Sequence, residues 1–524
     1  MSGIVNLNDM KKYILLFTTL CSLSLVKAQL PEDALRNSFF TQNGTARNMA
    51  IGGAMGSLGG DITANNVNPA GIGMFKTNEF VFSPGFALNN NKFNFRGNNT
   101  AVKKNAFNYG ATGFIFGGIG RPGSRWSSSA FSISVNQLAS FNNRTFYKGK
   151  NDISSFSEQF LEELVKDNAS PTAAENNYIF GSSLAFRTYL IDSFMANGRL
   201  GYQSQASVAR PGVEGVNQEN EINTKGGYHE ISLAGAANMS DRLYIGGSVN
   251  IPIIYYQKDL RFRESDATTN PNNNFNYFEF TEKSTSRGVG INAKVGMIYK
   301  PQEFLRLGVA LHTPSFLSFR DNIRAAMTTD TEKYTRNGTL TETSDNLNSG
   351  NAGDRQYNMT TPWRVIGSAS YVLREVNDTR QQKGFITADV EYVNYRSARF
   401  FSSDGADATG VNYYQSLNDK IKDYYKSAFN FKLGGELKFN TIMVRAGGAF
   451  YGNPYTQNEA LKARRVQGSG GLGYRNHGMF LDLTYVHNFI RDVNFPYRLN
   501  DKPNTFAAQT GSRGNVVATL GFKF

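Results

Sequence analysis

Period-two alternation, sustained over segments much longer than a soluble strand, constrains this 524-residue chain more than any other feature. Between Arg242 and Tyr255 the odd positions read Leu243, Ile245, Gly247, Val249, Ile251, Ile253 and Tyr255, while the even ones carry Tyr244, Gly246, Ser248 and Asn250. Such alternation marks a strand with one apolar face. The stretch 427–439 repeats it: Phe429, Phe431, Leu433, Leu437 and Phe439 share one face, and Asn430, Lys432, Gly434, Glu436 and Lys438 the other. These segments run about ten to fourteen residues, against five or six for a soluble strand and nine to eleven for a tilted strand crossing a bilayer. Lipid admits strands only in a closed barrel, because an open edge leaves backbone N–H and C=O groups unpaired in hydrocarbon.

The candidate segments are 78–89, 107–118, 126–137, 227–239, 242–257, 286–300, 303–314, 363–375, 384–396, 427–439, 441–452, 467–476, 479–490 and 515–524. If the first rises from the periplasm, the connections 90–106, 138–226, 258–285, 315–362, 397–426, 453–466 and 491–514 lie outside, and 119–125, 240–241, 301–302, 376–383, 440 and 477–478 lie inside. Every long connection falls on one side, as in outer-membrane barrels with short inner turns and long outer loops. A soluble sandwich or propeller also alternates, but with shorter strands and without this sorting. The expected fold is therefore all-β, a transmembrane antiparallel barrel of about fourteen strands. Composition agrees. The chain is 40% hydrophobic and 13% aromatic, too rich in large apolar residues for disorder, and no apolar run reaches the roughly 20 residues of a membrane helix.

Lys11 and Lys12 precede the apolar stretch Ile14 to Leu25, and Val26 and Ala28 set small residues at −3 and −1 of a cleavage site before Gln29. Residues 1–28 are expected to be a secretory signal peptide, with Met10 the plausible start. Cys21 is the single cysteine and falls within it. A mature chain without thiols excludes disulfides, thiolate catalysis and Cys-ligated zinc. The net charge of +13 is spread with no Lys/Arg-rich run, which, with export, excludes nucleic acid as a partner.

Enzymatic chemistry finds no support. His229, His312, His477 and His487 occur singly, with neither a His-Glu-x-x-His nor a Gly-x-Ser-x-Gly motif, so no metal, cofactor or catalytic residue is expected. His312 and His487 sit near the predicted outer strand ends, where a rim hydrogen bond is the expected role. Lys294, Arg306, Asp389, Glu391, Lys432, Glu436, Lys438, Arg445 and Asp482 fall on the polar faces and are expected to point into the lumen, since Arg or Lys in lipid near the midplane costs about 2–4 kcal/mol. Their expected role is to brace the lumen as ion pairs, Arg445 with Glu436 among them. Within the longest outer loop, 138–226, Ile153, Phe156, Phe160, Leu161 and Leu164 have helical spacing and predict a helix over 153–166 lying on the rim.

Residues 29–77 precede the barrel at 78–524. They hold Gly52-Gly53-Ala54 and Gly59-Gly60-Asp61, then Asn68-Pro69-Ala70-Gly71. No strand precedes these glycines and no Lys-Ser/Thr follows, so they are not a phosphate loop. A compact, small-residue segment can sit inside a lumen, where irregular backbone is enclosed by protein. Together with Thr45-Ala46-Arg47-Asn48-Met49-Ala50, these elements resemble the hatch of the FadL/TodX family of outer-membrane transporters of hydrophobic compounds. The resemblance continues through Thr361-Pro362-Trp363-Arg364-Val365, Ala388 to Tyr392, Arg445-Ala446-Gly447 with Asn453-Pro454, and Asp482 to Tyr485.

The resemblance implies a barrel in the bacterial outer membrane whose partners are outer-membrane lipid and a hydrophobic small molecule such as a long-chain fatty acid. That ligand is caught at the outer face, passed to a pocket near the hatch, and released sideways through a kinked strand; Pro84-Gly85 and Pro252 are the candidate kinks. Asn68, Pro69, Ala70 and Gly71, with the apolar Val67, Ile72, Met74 and Phe75, are then the ligand and hatch residues. Phe524, an aromatic ending the last strand, resembles the signal read by barrel-insertion machinery. The alternative implied by the same resemblance is a scaffold or accessory subunit working with other envelope proteins in a secretion or assembly complex.

Overall fold

The computed structural model of the chain describes residues 31–268, 270–335, 338–373, 383–456 and 464–524; the predicted signal peptide and most of the 376–383 turn lie outside these. Fourteen antiparallel crossings form one closed barrel. In chain order they are β1 (Glu79–Phe82, then Pro84–Phe95), β2 (Asn98–Tyr109, then Thr112–Ile119), β3 (Trp126–Ser140, continued by Asn143–Asn151), β4 (Val216–Met239), β5 (Leu243–Asp266), β6 (Tyr277–Gln302) and β7 (Leu305–His312, then Phe316–Asp330). They continue with β8 (Gly353–Thr360, then Arg364–Leu373), β9 (Gly384–Asn394, then Arg399–Ser402), β10 (Ser427–Phe439), β11 (Ile442–Tyr451), β12 (Arg465–Asn476), β13 (Met479–Asn494) and β14 (Ala507–Lys523). The ring shuts where β14 pairs with β1, Phe522 opposite Phe80 and Val516 opposite Phe86. Each predicted segment falls on one of these strands.

The surface is inside out relative to a soluble protein. On β6 the outward Val289, Ile291, Val295, Met297 and Tyr299 are all exposed, while the inward Asn292 and Lys294 are buried. From Tyr299 to Val289 the strand rises roughly 33 Å, which a tilt near 40° reduces to about 25 Å, the height of an outer-membrane apolar band. This lipid-facing belt identifies an integral outer-membrane barrel. Among the described residues no helix is long and apolar enough to cross a membrane.

Strands β4 to β7 run well past the belt, so the outer loops 138–226, 258–285 and 315–362 are shorter than the sequence suggests and the strands longer. The reason is visible on β5. Up to Tyr255 the outward odd positions are apolar; beyond it the inward even positions, Leu260 and Phe262, take over and pack with Phe278 and Phe280 of β6. Apolar residues change faces where the strand leaves lipid. The segment 90–106, read as an outer loop, is likewise strand, turning only at Arg96-Gly97.

These extensions carry a cap built from 152–215, with helices Glu158–Lys166, Pro171–Asn176 and Ser182–Arg187 and the hairpin Ile191–Ala196/Arg199–Ser204. Phe156, Phe160 and Leu164 bury in its core as expected, but the helix begins at Glu158 rather than 153. The preceding turn is occupied by a buried carboxylate. Glu264 accepts from Ser155 Oγ (2.6 Å), the Phe156 N–H (2.7 Å) and Gln218 Nε2 (2.6 Å) and has no cation within ion-pair reach among the described residues. Burial, added to by the nearby Glu158, whose own charge pairs with Lys502 at 2.8 Å, pushes Glu264 up to about 8. An acid raised above its unfolded value destabilises the folded state as pH rises from the ordinary Glu range toward 8, because only the unfolded chain releases the proton freely. The cap is therefore expected to resist proteolysis better at pH 5 than at pH 8.5, and Glu264→Gln to flatten that dependence; a slope that survives in the variant excludes Glu264 as its source.

A second element was read as the loop 397–426. It holds the helix Ala408–Tyr424, whose Tyr414, Leu417 and Ile421 pack with Leu35 and Phe39 against inward Tyr228, Tyr357 and Tyr395. The i, i+3, i+7 spacing of those three residues is the signal that finds it.

Candidate functional site: a lumenal cavity at a seam in the wall

Residues 44–75 lie against inward-facing side chains around the whole ring. Helix Ala46–Ala50 is capped by Thr45, whose Oγ accepts from the Asn48 N–H at 3.2 Å and donates to Asp61 Oδ2 at 2.7 Å. The Ala46 N–H donates to Thr519 on β14 (2.8 Å), Thr484 on β13 donates to the Ala46 carbonyl (2.7 Å), and Ser469 on β12 to the Ala50 carbonyl (2.9 Å). On the opposite side Asn65 donates to Ser132 and Ser134 of β3, at 2.8 and 2.7 Å, and Asn66 to Glu230 of β4 at 2.8 Å.

Asn68 sits at the centre of this bonding. Its amide Nδ2 donates to the Gly56 carbonyl (2.5 Å) and, more weakly, to Met297 (3.2 Å) and Val309 (3.4 Å) on β6 and β7, and its Oδ1 accepts from the Ala70 N–H (3.1 Å). Pro69 starts the short 3-10 helix Pro69–Met74, where a missing N–H costs nothing. Val67, Pro69, Ala70, Gly71 and Ile72 are buried, Phe75 nearly so, and Met74 half-buried beside Arg306.

Wall glycines make room for this segment. A Cβ on Gly296 would fall 1.9 Å from Asn68 Oδ1, and one on Gly434 2.3 Å from the Ile51 carbonyl oxygen. Gly447→Ala, whose Cβ would meet Ile51 backbone at 2.3 Å, is expected to loosen the segment by about 1–3 kcal/mol. Faster trypsin cleavage after Arg47 in the folded barrel measures that loosening; an unchanged rate excludes it.

The predicted lumen charges all lie on inward faces. Arg445 binds Glu436 and Asp482, each at 2.5 Å. Glu391 lies between Lys432 and Arg364, both at 2.9 Å. Lys294 pairs with Glu230, Arg306 donates to the Leu58 carbonyl (3.0 Å), and Asp389 accepts from the Met55 and Gly56 N–H groups at 3.0 Å each. Lys438 is half-buried at the inner end. Glu230 and Arg364 were not singled out in the sequence; Glu230 is a lone even-position acid in β4 and Arg364 stands at the start of a strand piece. His312 is not at a rim. Its strand continues to Asp330, and Nε2 faces inward to the Val67 carbonyl at 2.8 Å. His487 bonds Tyr485 on the outer surface, also short of its strand end.

The wall is not laddered throughout. Below, Glu79–Phe82 and Thr112–Ile119 pair normally with their neighbours. Above, Asn98–Tyr109 pairs with Pro84–Phe95, but among the described residues no ladder joins it to 136–151, which pairs instead with β4. The break falls at Ser83 and Gly110-Ala111, adjoining the Pro84-Gly85 kink candidate; at Pro252 only Ile251 and Pro252 drop out of the ladder to β6. Side chains tie the hairpin of β1 and β2 to β3 and β4 across this seam in place of backbone. Asn91 donates to Asn143 Oδ1 (2.7 Å), Asn89 to the Asn142 carbonyl (2.8 Å), Thr100 to the Phe146 carbonyl (2.7 Å), and Tyr109 meets His229 Nδ1 at 2.7 Å.

Behind the seam lies a cavity of about 370 Å³. It is lined by Phe39 and Phe40 of the N-terminal segment, by Leu138 and Phe141 of the seam, by many amides, and by Arg465, Arg513 and Asp492. Arg465 stacks over Phe39 at 4.3 Å and donates to its carbonyl, and Arg513 donates to the Ser140 carbonyl at 3.3 Å. Neither guanidinium has an ion pair among the described residues. The segment reaches the cavity through Arg36, whose guanidinium pairs with Asp33 at 2.6 Å, through 39–43 and through Met49; Asn68 to Gly71, Val67, Ile72, Met74 and Phe75 do not line it.

No protein-family model matches the sequence, and no curated protein matches it. Among solved structures the chain is similar to a FadL homologue from Pseudomonas aeruginosa, with a TM-score of 0.51 and 13% identity over 92% of this chain and 99% of that one. It also aligns with the toluene transporters TodX of Pseudomonas putida (0.49, 12%, covering 93% and 100%) and TbuX of Ralstonia pickettii (0.48, 14%, covering 92% and 98%). At this identity the first of these shows a common fold.

Proposed function

We propose, for a chain that has the FadL fold, that it takes up hydrophobic small molecules ending in an acid group, of which long-chain fatty acids are the type. The ligand enters the cavity from the outer face and leaves through the seam into the membrane, while residues 29–77 act as a hatch across the bore. The cavity carries this reading. It pairs phenylalanine and leucine with two guanidiniums lacking ion pairs, and it abuts a stretch of wall held by side chains, which open at far less cost than a ladder. Arg513→Gln is expected to lower uptake of a long-chain fatty acid severalfold while leaving that of the matching alcohol unchanged. Equal loss for both, or none, overturns the acid preference.

The hatch reading predicts that Asn68→Ala with Pro69→Ala, which removes the amide bridge to β6 and β7, weakens uptake in a barrel that still inserts. Phe524 is exposed, and its N–H donates to the Asn78 carbonyl at 3.1 Å, where first and last strands meet. Its deletion is expected to reduce the abundance of folded barrel, through poorer recognition by the insertion machinery. A second reading, an accessory subunit of an envelope complex, is favoured by the cap hairpin, which exposes Phe194, Met195 and Leu200 to solvent. Purification from native membranes separates the two: a transporter emerges alone, a subunit with stoichiometric partners.

A further inference from the structure

On the lipid-facing side of β6 and β7 two cations stand directly opposite each other. Arg287 and Arg320 are register partners, both point outward, and Arg287 is flanked on its other side by Tyr255. Two rows above, beyond Thr285 and Asn322, Lys283 is the partner of Arg324. Just below lie Val289, Ile291 and Phe316, all more than half exposed, at the top of the apolar belt. Like charges opposite one another in a sheet repel and need compensation. Arg320 has it in Asp354, reached by Nε at 3.0 Å, and Arg324 has it in Asp345. Asp259, beside Lys283, is held by Gln257 at 3.0 Å. Arg287 and Lys283 have no hydrogen bond or ion pair among the described residues.

The height decides what faces them. The belt ends at Val289, so Arg287 begins at the boundary where hydrocarbon gives way to headgroups, and a guanidinium there extends toward water along its own stem. We infer that Arg287 and Arg320, backed by Lys283, form a site for the phosphate of an outer-leaflet lipid, whose acyl chains lie on Val289, Ile291 and Phe316. Arg287 supplies a free fork of donors for the phosphate oxygens, Arg320 a second charge part-screened by Asp354, and Tyr255 an edge to the headgroup pocket.

The test uses the full barrel, delipidated in detergent, with phosphatidic acid as the phosphomonoester probe, phosphatidylcholine as the zwitterionic one and inorganic phosphate as the free anion. Native mass spectrometry is expected to retain phosphatidic acid on the parent, with Arg287→Gln weakening retention about tenfold and Lys103→Gln, an outward lysine on β2, leaving it unchanged. Arg287 is exposed and unpaired, so the variant folds; its melting temperature without lipid confirms that. Retention unaffected by Arg287→Gln, or equal for phosphatidylcholine, overturns the site. Binding of inorganic phosphate as strong as that of the lipid overturns the lipid assignment.

Discussion

Joining Asn91→Cys to Asn143→Cys with a short, reducible linker is expected to abolish the proposed uptake of a long-chain fatty acid, and reductant to restore it. The two asparagines already meet across the seam at 2.7 Å, so a linker a few atoms long spans them without moving a strand. The mature chain is expected to hold no cysteine of its own, since Cys21 lies in the predicted leader, so the introduced pair reacts alone. The loss should be near complete, because the linker replaces hydrogen bonds individually worth about 1 kcal/mol with a covalent bond. A matched pair across a laddered part of the wall, Ala449→Cys with Gln467→Cys on β11 and β12, serves as control and should leave uptake intact. Uptake that continues through a cross-linked seam excludes the seam as the exit, whereas a parent that takes up no fatty acid leaves the subunit reading standing.

The second large effect concerns the barrel itself. Arg445 is fully buried between Glu436 and Asp482, whose side chains are 2% and 1% exposed. Arg445→Ala strands two carboxylates in the lumen wall, with Arg47, 3.6 Å from Glu436, and the more distant Arg475 left to face them. Breaking a buried pair from one side costs about 3–5 kcal/mol. The temperature at which the barrel loses its compact form on electrophoresis should fall markedly. Arg445→Met combined with Glu436→Gln and Asp482→Asn should recover most of it, because neutral amides need no counter-charge. If the triple variant melts no higher than Arg445→Ala, the cluster does not act as a unit.

The strands were legible wherever lipid touches them. Leu243 to Tyr255 and Phe429 to Phe439 show their faces by composition alone, since a charge among Phe429, Phe431 and Leu433 would be expelled from hydrocarbon. Legibility stopped at the membrane surface. Lys258 to Asp266 continues β5, but both its faces carry charge and its apolar residues have changed side, so a search for one apolar face ends at Tyr255. The lumen charges could be placed individually by parity, and Arg445 with Glu436 could be paired as inward charges on adjacent strands; the turn is 440–441 rather than 440 alone, which sets the two directly opposite. The cavity could not be read. It is assembled from Phe39, Leu138, Arg465 and Arg513, residues far apart in the chain with no motif among them, and the motif that stands out, Asn68 to Gly71, marks where the segment is fastened to the wall.

That fastening has a consequence for how the protein comes into being. Ala46 and Ala50 precede every strand of the barrel in the chain, yet their backbone partners are Ser469, Thr484 and Thr519, on its last three strands. Each of those bonds closes a loop of more than 400 residues, and contacts so distant in sequence are slow to form. The beginning of the chain must therefore wait, with its amides solvated, until the end arrives. A barrel stalled before β14 has an open edge and an unanchored interior at once, which gives a quality-control protease both signals in the same species.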